Sequence, residues 1–160
     1  MPSSAPAIDI GIQPDARADI TEGLSRVLAD NYSLYFMTHA FHWNVTGPMF
    51  RTLHQMFEDQ YRELWGATDL IAERIRALGA YAPGSYGQLA RYGSIKAPDE
   101  VPAALDMVRL LVEGHEAVAK QIRTVFPIAE KADDQATMDL LVDRLRSHEK
   151  TAWMLRSLLE

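Results

Sequence analysis

The sequence predicts an all-α protein, a four-helix bundle in which one long connection crosses from the second to the third long helix. Apolar residues recur every three or four positions along four long stretches, as on the buried side of an amphipathic helix. No stretch alternates between apolar and polar residues as a half-buried strand does. Residues 80–102 hold three prolines and three glycines, and so long a link between two helices is typical of a crossover along a bundle.

The first two long helices are predicted to form a hairpin. The first covers about residues 16–45 and the second about residues 48–78. Thr46-Gly47-Pro48 separates them, because glycine favours a helix C-terminus and proline begins a helix more readily than it continues one. Gly79 is the expected end of the second helix. At about 30 residues each, these helices are about 45 Å long.

The remaining helices complete the bundle. A short helix fits at residues 86–92 of the crossover, the third long helix is predicted over residues 103–125 with Pro127 near its end, and the fourth over residues 134–159. The apolar pattern places Leu105 and Trp153 among their inward residues. We therefore expect a flexible N-terminal segment over residues 1–15 and one helical domain over residues 16–160.

Composition excludes several classes of function. The chain has no cysteine, so disulfides, thiolate metal sites and cysteine nucleophiles are absent. Its net charge of -6 argues against a permanent grip on nucleic acid or an anionic membrane. No apolar run approaches the roughly 20 residues that span a bilayer, and the first residues do not resemble a signal peptide. A cytoplasmic protein is the expectation.

The residues between His42 and Glu73 predict a metal site. His42, His54, Glu58, Asp69 and Glu73 offer imidazole nitrogens and carboxylate oxygens, the ligands that iron-group divalent ions take when thiolate is absent. His54 and Glu58 are four residues apart, as are Asp69 and Glu73, so each pair lies on one face of the second helix. His42 and His54 are each about six residues from the turn and are expected to meet across the hairpin.

One chain cannot bring all five residues to one ion. The Asp69 and Glu73 pair lies about fifteen residues beyond the His54 and Glu58 pair, which is about 22 Å along a helix. In a two-fold dimer the second helix can lie antiparallel to its mate, with the axis near residue 64. His54 and Glu58 of one subunit then face Asp69 and Glu73 of the other. Taken singly, each residue has the simpler interpretation of a solvated surface side chain.

Two motifs carry a resemblance to a known family. The first reads His42-Trp43-Asn44-Val45-Thr46-Gly47, followed by Leu53-His54 and Glu58, and the second reads Asp69-Leu70-Ile71-Ala72-Glu73-Arg74, followed by Leu78-Gly79. They resemble the signature of the Dps family, the DNA-binding proteins from starved cells. Many members have Asp where Glu58 stands here, a change that lengthens the side chain and keeps the carboxylate. The Glu-x-x-His pair of ordinary ferritins is absent.

The resemblance implies a ferritin-like fold, a dodecameric shell and ferroxidase centres at two-fold interfaces. Iron is the implied metal, with His42, His54 and Glu58 from one subunit and Asp69 and Glu73 from its neighbour. Hydrogen peroxide is the implied oxidant in preference to oxygen, and the ferric product is stored as mineral, which protects against oxidative damage. The alternative function is a nucleoid DNA-binding or purely structural helical assembly with little oxidase activity.

Other residues near these motifs have two open interpretations each. Trp43 is a candidate electron donor that quenches radicals, as is Trp65, although aromatic packing explains either residue. His39, one turn before His42, is either a further ligand or a hydrogen-bonded histidine in the dimer interface. His115 and His148 have no evident partners and are expected to be structural.

Further acidic residues are candidates for moving and storing iron. Asp59 and Glu63 are predicted to nucleate mineral on the shell interior, or else to form a solvated acidic face. In the family, acids near the start of the last helix line an iron entrance pore. Asp134 and Asp139 match by position, and Asp133 and Asp143 are further candidates. Asp133 and Asp134 have the alternative role of helix capping.

DNA binding is expected to be weak or absent. In this family it usually depends on a flexible basic tail, whereas residues 1–16 contain no Lys or Arg and the chain ends at Leu159-Glu160. Without clustered positive charge, the phosphate backbone is not held at physiological salt.

Overall fold

The computed structural model describes residues 7–160, in which five helices and no strand are present. They are α1 (Pro14–Asn44), α2 (Phe50–Ala77), α3 (Tyr86–Tyr92), α4 (Ala104–Lys131) and α5 (Gln135–Arg156). α1 packs against α2 and α4, α4 packs against α5, and α2 touches α5 only slightly. The predicted bundle is confirmed, and the short helix of the crossover, α3, lies against α1.

The turn between α1 and α2 depends on Gly47. Its φ of +102° lies in the left-handed region, which glycine adopts without a steric penalty. The Gly47 carbonyl accepts a hydrogen bond from the Phe50 amide at 3.0 Å, which starts α2 immediately after the reversal. This short turn holds the end of α1 beside the start of α2.

The core runs the length of the four long helices. Leu24 and Leu34 of α1 and Leu53, Leu64 and Ile71 of α2 are fully buried. Each such side chain contributes roughly 1.5–3 kcal/mol through its removal from water. The hairpin is therefore a rigid support for any site on its outer face.

Two residues predicted to face inward do not. Leu105 is 39% exposed, and Trp153 is 62% exposed. The buried positions of α5 follow a strict three-and-four repeat that includes polar residues: Thr137, Leu141, Arg144, His148, Ala152 and Leu155. Trp153 lies about 100° around the helix from Ala152, so a pattern built on apolar residues alone placed it wrongly.

α4 continues beyond its predicted end. It runs through Pro127 to Lys131, whereas the sequence predicted an end at residue 125. Proline removes one helical hydrogen bond, but Pro127 is exposed and Ala129, one turn from Val125, is fully buried. Burial of the last turn offsets the lost bond. Asp133 then adopts a φ of 51° in the turn to α5, which Asp tolerates better than most residues.

Residues 1–6 of the predicted flexible segment lie outside the described residues. In residues 7–13, Ile8 lies against Gly79, which has a φ of +102° and follows the end of α2 as predicted. α1 begins at Pro14, two residues before the predicted start. Among residues 7–160, no helix has the length and apolar character that crossing a membrane requires.

Candidate metal centre

His42 and His54 bind each other's backbone across the hairpin. The His42 Nδ1 lies 2.7 Å from the His54 carbonyl oxygen, and the His54 Nδ1 lies 2.8 Å from the His42 carbonyl oxygen. The two rings stack with their centroids 3.8 Å apart. His42 is in the last turn of α1, where carbonyls lack a helical amide partner, so its carbonyl is free to accept this bond.

These bonds determine which ring nitrogen carries the proton. A carbonyl oxygen only accepts, so each Nδ1 must be the protonated nitrogen. Each Nε2 then keeps its lone pair, the form in which imidazole binds a metal ion. His42 is 9% exposed and His54 is half-buried. The hairpin therefore holds two neutral imidazole rings in fixed orientation at the surface of one chain.

Glu58 lies one turn beyond His54 and is paired with Arg62. Its carboxylate accepts hydrogen bonds from the Arg62 Nε at 3.0 Å and from the Arg62 guanidinium NH2 group at 2.5 Å. The hydrogen bond from Arg62 holds the pKa of Glu58 below its usual value, with smaller contributions from His42 and His54. Glu58 is therefore ionised at neutral pH. Arg62 is exposed, so the carboxylate can exchange it for a metal ion.

Asp69 and Glu73 lie farther along α2 and are exposed. Neither forms an ion pair with any other part of residues 7–160. Over the same residues, no three His, Asp or Glu side chains of one chain lie together as a metal site. The structure thus brings His42 and His54 together and keeps the second acidic pair apart from them.

An aromatic cluster surrounds His39. Its ring stacks on Tyr61 at 4.0 Å between centroids and lies 4.3 Å from Trp43, while the Tyr35 hydroxyl is 3.3 Å from the His39 Nδ1. Burial, with a smaller contribution from His42, lowers the pKa of His39. These contacts favour the hydrogen-bonded interpretation of His39. Trp43 is 58% exposed and does not pack in the core.

Asp134 caps α5 and is buried. It is 2% exposed, and its carboxylate accepts hydrogen bonds from the Thr137 amide at 3.0 Å and from the Arg74 guanidinium at 2.6 Å. Burial alone raises the pKa of Asp134, but the bonds from Arg74 and Thr137 bring it below its usual value. These bonds favour the capping interpretation of Asp134 over the pore assignment. Asp139 and Asp143 are exposed and remain candidates.

The predicted pair Asp59 and Glu63 divides into two environments. Asp59 is exposed on α2. Glu63 pairs with the guanidinium of Arg144, whose NH2 group lies 3.0 Å from the Glu63 Oε2 and whose NH1 group contacts the other oxygen. Burial opposes ionisation, but Arg144 brings the pKa of Glu63 below its usual value. Of the two, only Asp59 lacks an ion pair within residues 7–160.

A second histidine pair lies inside the bundle and was missed by the sequence analysis. The His115 Nδ1 and the His148 Nδ1 are 2.9 Å apart, so the two residues that lacked evident partners bind each other. His115 is 2% and His148 1% exposed. Their positions on the buried repeats of α4 and α5 were the available signal, because a polar residue at a core position needs a partner.

Comparison with known proteins matches one domain family over most of the chain. The ferritin-like domain family matches residues 21–160. The chain is 40% identical over 157 residues to an uncharacterised low temperature-induced protein of Nostoc, covering 97% of this chain and 88% of that protein. It is 36% identical over 137 residues to a DNA protection during starvation protein of Brevibacillus brevis, covering 86% of this chain and 92% of that one.

Solved structures of Dps proteins have the same fold as this chain. The Vibrio cholerae Dps protein, described as a member of a broad superfamily of ferritin-like diiron-carboxylate proteins, is 30% identical and superimposes with a TM-score of 0.92 over 99% of this chain and 100% of that chain. A Dps protein from Bacillus brevis is 34% identical, with a TM-score of 0.88 over 91% of this chain and 98% of that chain.

Proposed function

This chain belongs to the ferritin-like family, as one of its Dps mini-ferritins, and from that premise we propose that it is a ferroxidase that stores iron. The observation that carries the proposal is the reciprocal locking of His42 and His54. It leaves an Nε2 lone pair on each of two rings that stack 3.8 Å apart, and the ionised Glu58 is one turn from His54. Nitrogen and carboxylate ligands of this kind suit ferrous iron.

The iron site is completed by a second subunit. His54, Glu58, Trp65, Asp69 and Glu73 follow one another along α2 at intervals of four, seven, four and four residues, which keeps them on one side of the helix. Trp65, near the centre of this row, is 59% exposed in a single chain. Antiparallel pairing of two α2 helices about this point buries both tryptophans and supplies Asp69 and Glu73 to the partner's histidines.

Oxidation by peroxide accounts for the protective role. Two ferrous ions each give one electron to one hydrogen peroxide molecule, which takes up two protons and yields two water molecules. Because both electrons arrive together, hydroxyl radical from a one-electron step is suppressed. His42 and His54 hold their lone pairs toward the ion, and Glu58 compensates its charge. Trp43 is more than half exposed and lies 4.3 Å from the His39 ring, and it donates an electron to any radical that escapes this reaction.

The ferric product is stored inside a cytoplasmic shell of twelve subunits, the assembly that the Dps resemblance implies. Asp139, on the exposed side of α5, contributes negative potential to the iron entrance. Asp59 is the nucleating carboxylate, because its oxygens have no ion pair within residues 7–160, whereas Glu63 is held by Arg144.

Ferrous iron oxidation with peroxide tests the site. We expect His54→Ala and Glu73→Ala each to lower the rate by more than about 100-fold, since even supporting hydrogen bonds of metal ligands are worth roughly 10–100-fold. Stopped-flow absorbance of the ferric product measures the rate. Mixing the two variants before assembly should restore part of the activity, because some shared sites then contain every ligand. Equal rates in both variants and the wild type would refute the assignment.

DNA protection follows from removal of iron and peroxide and needs no DNA binding. Residues 1–16 contain no Lys or Arg, and the chain carries a net charge of -6. We expect no shift of DNA in a gel at submicromolar protein and physiological salt. Retention of DNA in moderate salt is the contrary result and favours the nucleoid-binding alternative.

A further inference from the structure

A cavity of about 620 Å³ lies where α2 and α5 separate, outside the candidate metal centre. Arg51 and Asp59 of α2 and Lys150 of α5 line it, and His115 of α4 is also among its lining residues. None of these is a proposed ligand of the ferroxidase site, although Asp59 is the proposed nucleating carboxylate. The cavity thus combines two exposed cations, the exposed carboxylate of Asp59, the carboxylate of Glu63 that pairs with Arg144, and one deeply buried imidazole.

The proton positions on His115 and His148 follow from Arg144. A guanidinium only donates, and an Arg144 NH2 group lies 3.4 Å from the His148 Nε2, so this nitrogen must be the unprotonated one. Neutral His148 then carries its proton on Nδ1 and donates it to the His115 Nδ1 at 2.9 Å. Burial lowers the pKa of His115 to about 4, so its ring is neutral at pH 7 and its single proton is on Nε2.

Two buried polar atoms among the cavity's lining residues lack a partner. The His115 Nε2–H has no acceptor and the Gln60 Oε1 has no donor within residues 7–160. Buried polar groups are almost always paired, because an unpaired group loses its bonds to water and gains nothing in return. A ligand that both accepts and donates hydrogen bonds satisfies both atoms. Because the His115 Nε2 is protonated, a metal ion is not that ligand.

We propose that this cavity binds inorganic phosphate in a protonated form. Phosphate oxygens accept from the His115 Nε2–H and from the cations Arg51 and Lys150, as charge-assisted bonds. Three hydroxyl side chains, those of Thr52, Ser147 and Thr151, line the same space. The P–OH group donates to the Gln60 Oε1 or to Asp59.

Asp59 provides the selectivity. A carboxylate repels a fully ionised oxyanion but accepts a hydrogen bond from a protonated one. At neutral pH, inorganic phosphate keeps at least one P–OH group, whereas sulfate keeps none. Glu63 does not change this balance, because Arg144 compensates its charge. Phosphate is therefore preferred to sulfate. If Asp59 nucleates mineral, a consequence that rests on the proposed function, the site places phosphate beside the first ferric ions.

The experiment is calorimetric titration of the iron-free protein with inorganic phosphate and with sulfate at pH 7 and constant ionic strength. We expect phosphate to bind at least about tenfold more tightly than sulfate, and Lys150→Gln to weaken phosphate binding by about tenfold or more, the loss of one charge-assisted bond. Lys120→Gln, an exposed lysine of α4 away from the cavity, is the matched control and should change nothing. Asp59→Asn should narrow the preference for phosphate over sulfate.

Nitrogen NMR of labelled histidine provides a second measurement. The His115 Nε2 resonance should be that of a protonated nitrogen and should shift on addition of phosphate. Absence of phosphate binding, equal affinity for sulfate, equal effects of Lys150→Gln and Lys120→Gln, or an unmoved His115 resonance would each overturn the proposal. Because iron is absent throughout, failure here is distinguishable from failure of the ferroxidase proposal.

Discussion

Two pairs of histidines, His42 with His54 and His115 with His148, differ in what their ring nitrogens face. In the first pair each Nδ1–H donates to a backbone carbonyl, which leaves two Nε2 lone pairs. In the second pair the rings bond each other, and Arg144 faces the remaining lone pair. The first arrangement suits a metal ion, while the second leaves a single N–H donor. The neighbouring donor or acceptor, more than the residue type, decides what a histidine can bind.

The pairs also differ in how much of the protein they need. His115 and His148 are enclosed by one chain, with Arg144 and Glu63 beside them. The first pair lies at an outer face, and the proposed iron site also needs Asp69 and Glu73 of a second subunit. Its function should therefore depend on association, and that of the second pair on the bundle alone.

The largest expected effect comes from separating the subunits while keeping every ligand. Trp65→Arg introduces a charge at the centre of the proposed α2 contact. We expect dimers to weaken in sedimentation analysis and iron oxidation to fall by more than about 100-fold, because two of five ligands are lost from each site. The His115 and His148 resonances should stay unchanged.

Trp153→Arg is the control for this substitution. Trp153 is similarly exposed, at 62%, but lies on α5, and a surface change there should alter the oxidation rate by about twofold at most. Full activity of Trp65→Arg as a dissociated chain would disprove the shared site.

The next effect concerns the buried charge beside the second pair. Glu63→Gln leaves the Arg144 guanidinium, whose side chain is 3% exposed, without its carboxylate. Loss of one partner of a buried ion pair costs about 3–5 kcal/mol, and the 43% exposure of Glu63 reduces this to about 2–3 kcal/mol. Urea unfolding measures the change.

Glu116→Gln provides the comparison, since it breaks the exposed pair with Arg156. We expect a loss below about 1 kcal/mol there. Equal losses in the two variants would mean that Arg144 is hydrated in solution and that the second pair is not enclosed.

The smallest effect is a pH dependence of stability. The folded-state pKa of His115 is about 4 and its ordinary value is 6.5. Between these pH values the unfolded chain binds a proton on this residue and the folded chain does not. Stability is complete above pH 6.5 and falls as the pH decreases toward 4. Between pH 7 and pH 5 this group should remove about 2 kcal/mol from the free energy of unfolding.

His115→Gln should reduce this dependence, because an amide does not titrate. Burial also holds the pKa of His148 well below its usual value, so His148 retains its own part of the slope, while Glu63 and Arg144 remain in both proteins. An unchanged slope between pH 7 and pH 5 in His115→Gln would show that His115 is accessible to protons in the folded state.

Much of the fold and part of the site followed from local rules. Gly47 reverses the chain after α1 and Gly79 follows the end of α2 because the left-handed backbone favours glycine, and the apolar repeat located the four long helices. His42 and His54 were expected to meet because each lies about six residues from a tight turn. The separation of Asp69 and Glu73 from these histidines follows from the rise per residue of an α-helix. Such inferences need only residues near in sequence.

The sequence by itself determined the helices, the hairpin and the types of the five candidate ligands, since these depend on periodicity and turn chemistry. Tertiary structure alone decided the ion pair of Asp134 with Arg74, the exposure of Trp153 and the enclosure of His115 with His148. Their partners are remote: Asp134 bonds Arg74, and Arg144 bonds Glu63, 81 residues away. Apolar periodicity does not register a polar residue at a core position, because its burial is stable only once a distant side chain satisfies it.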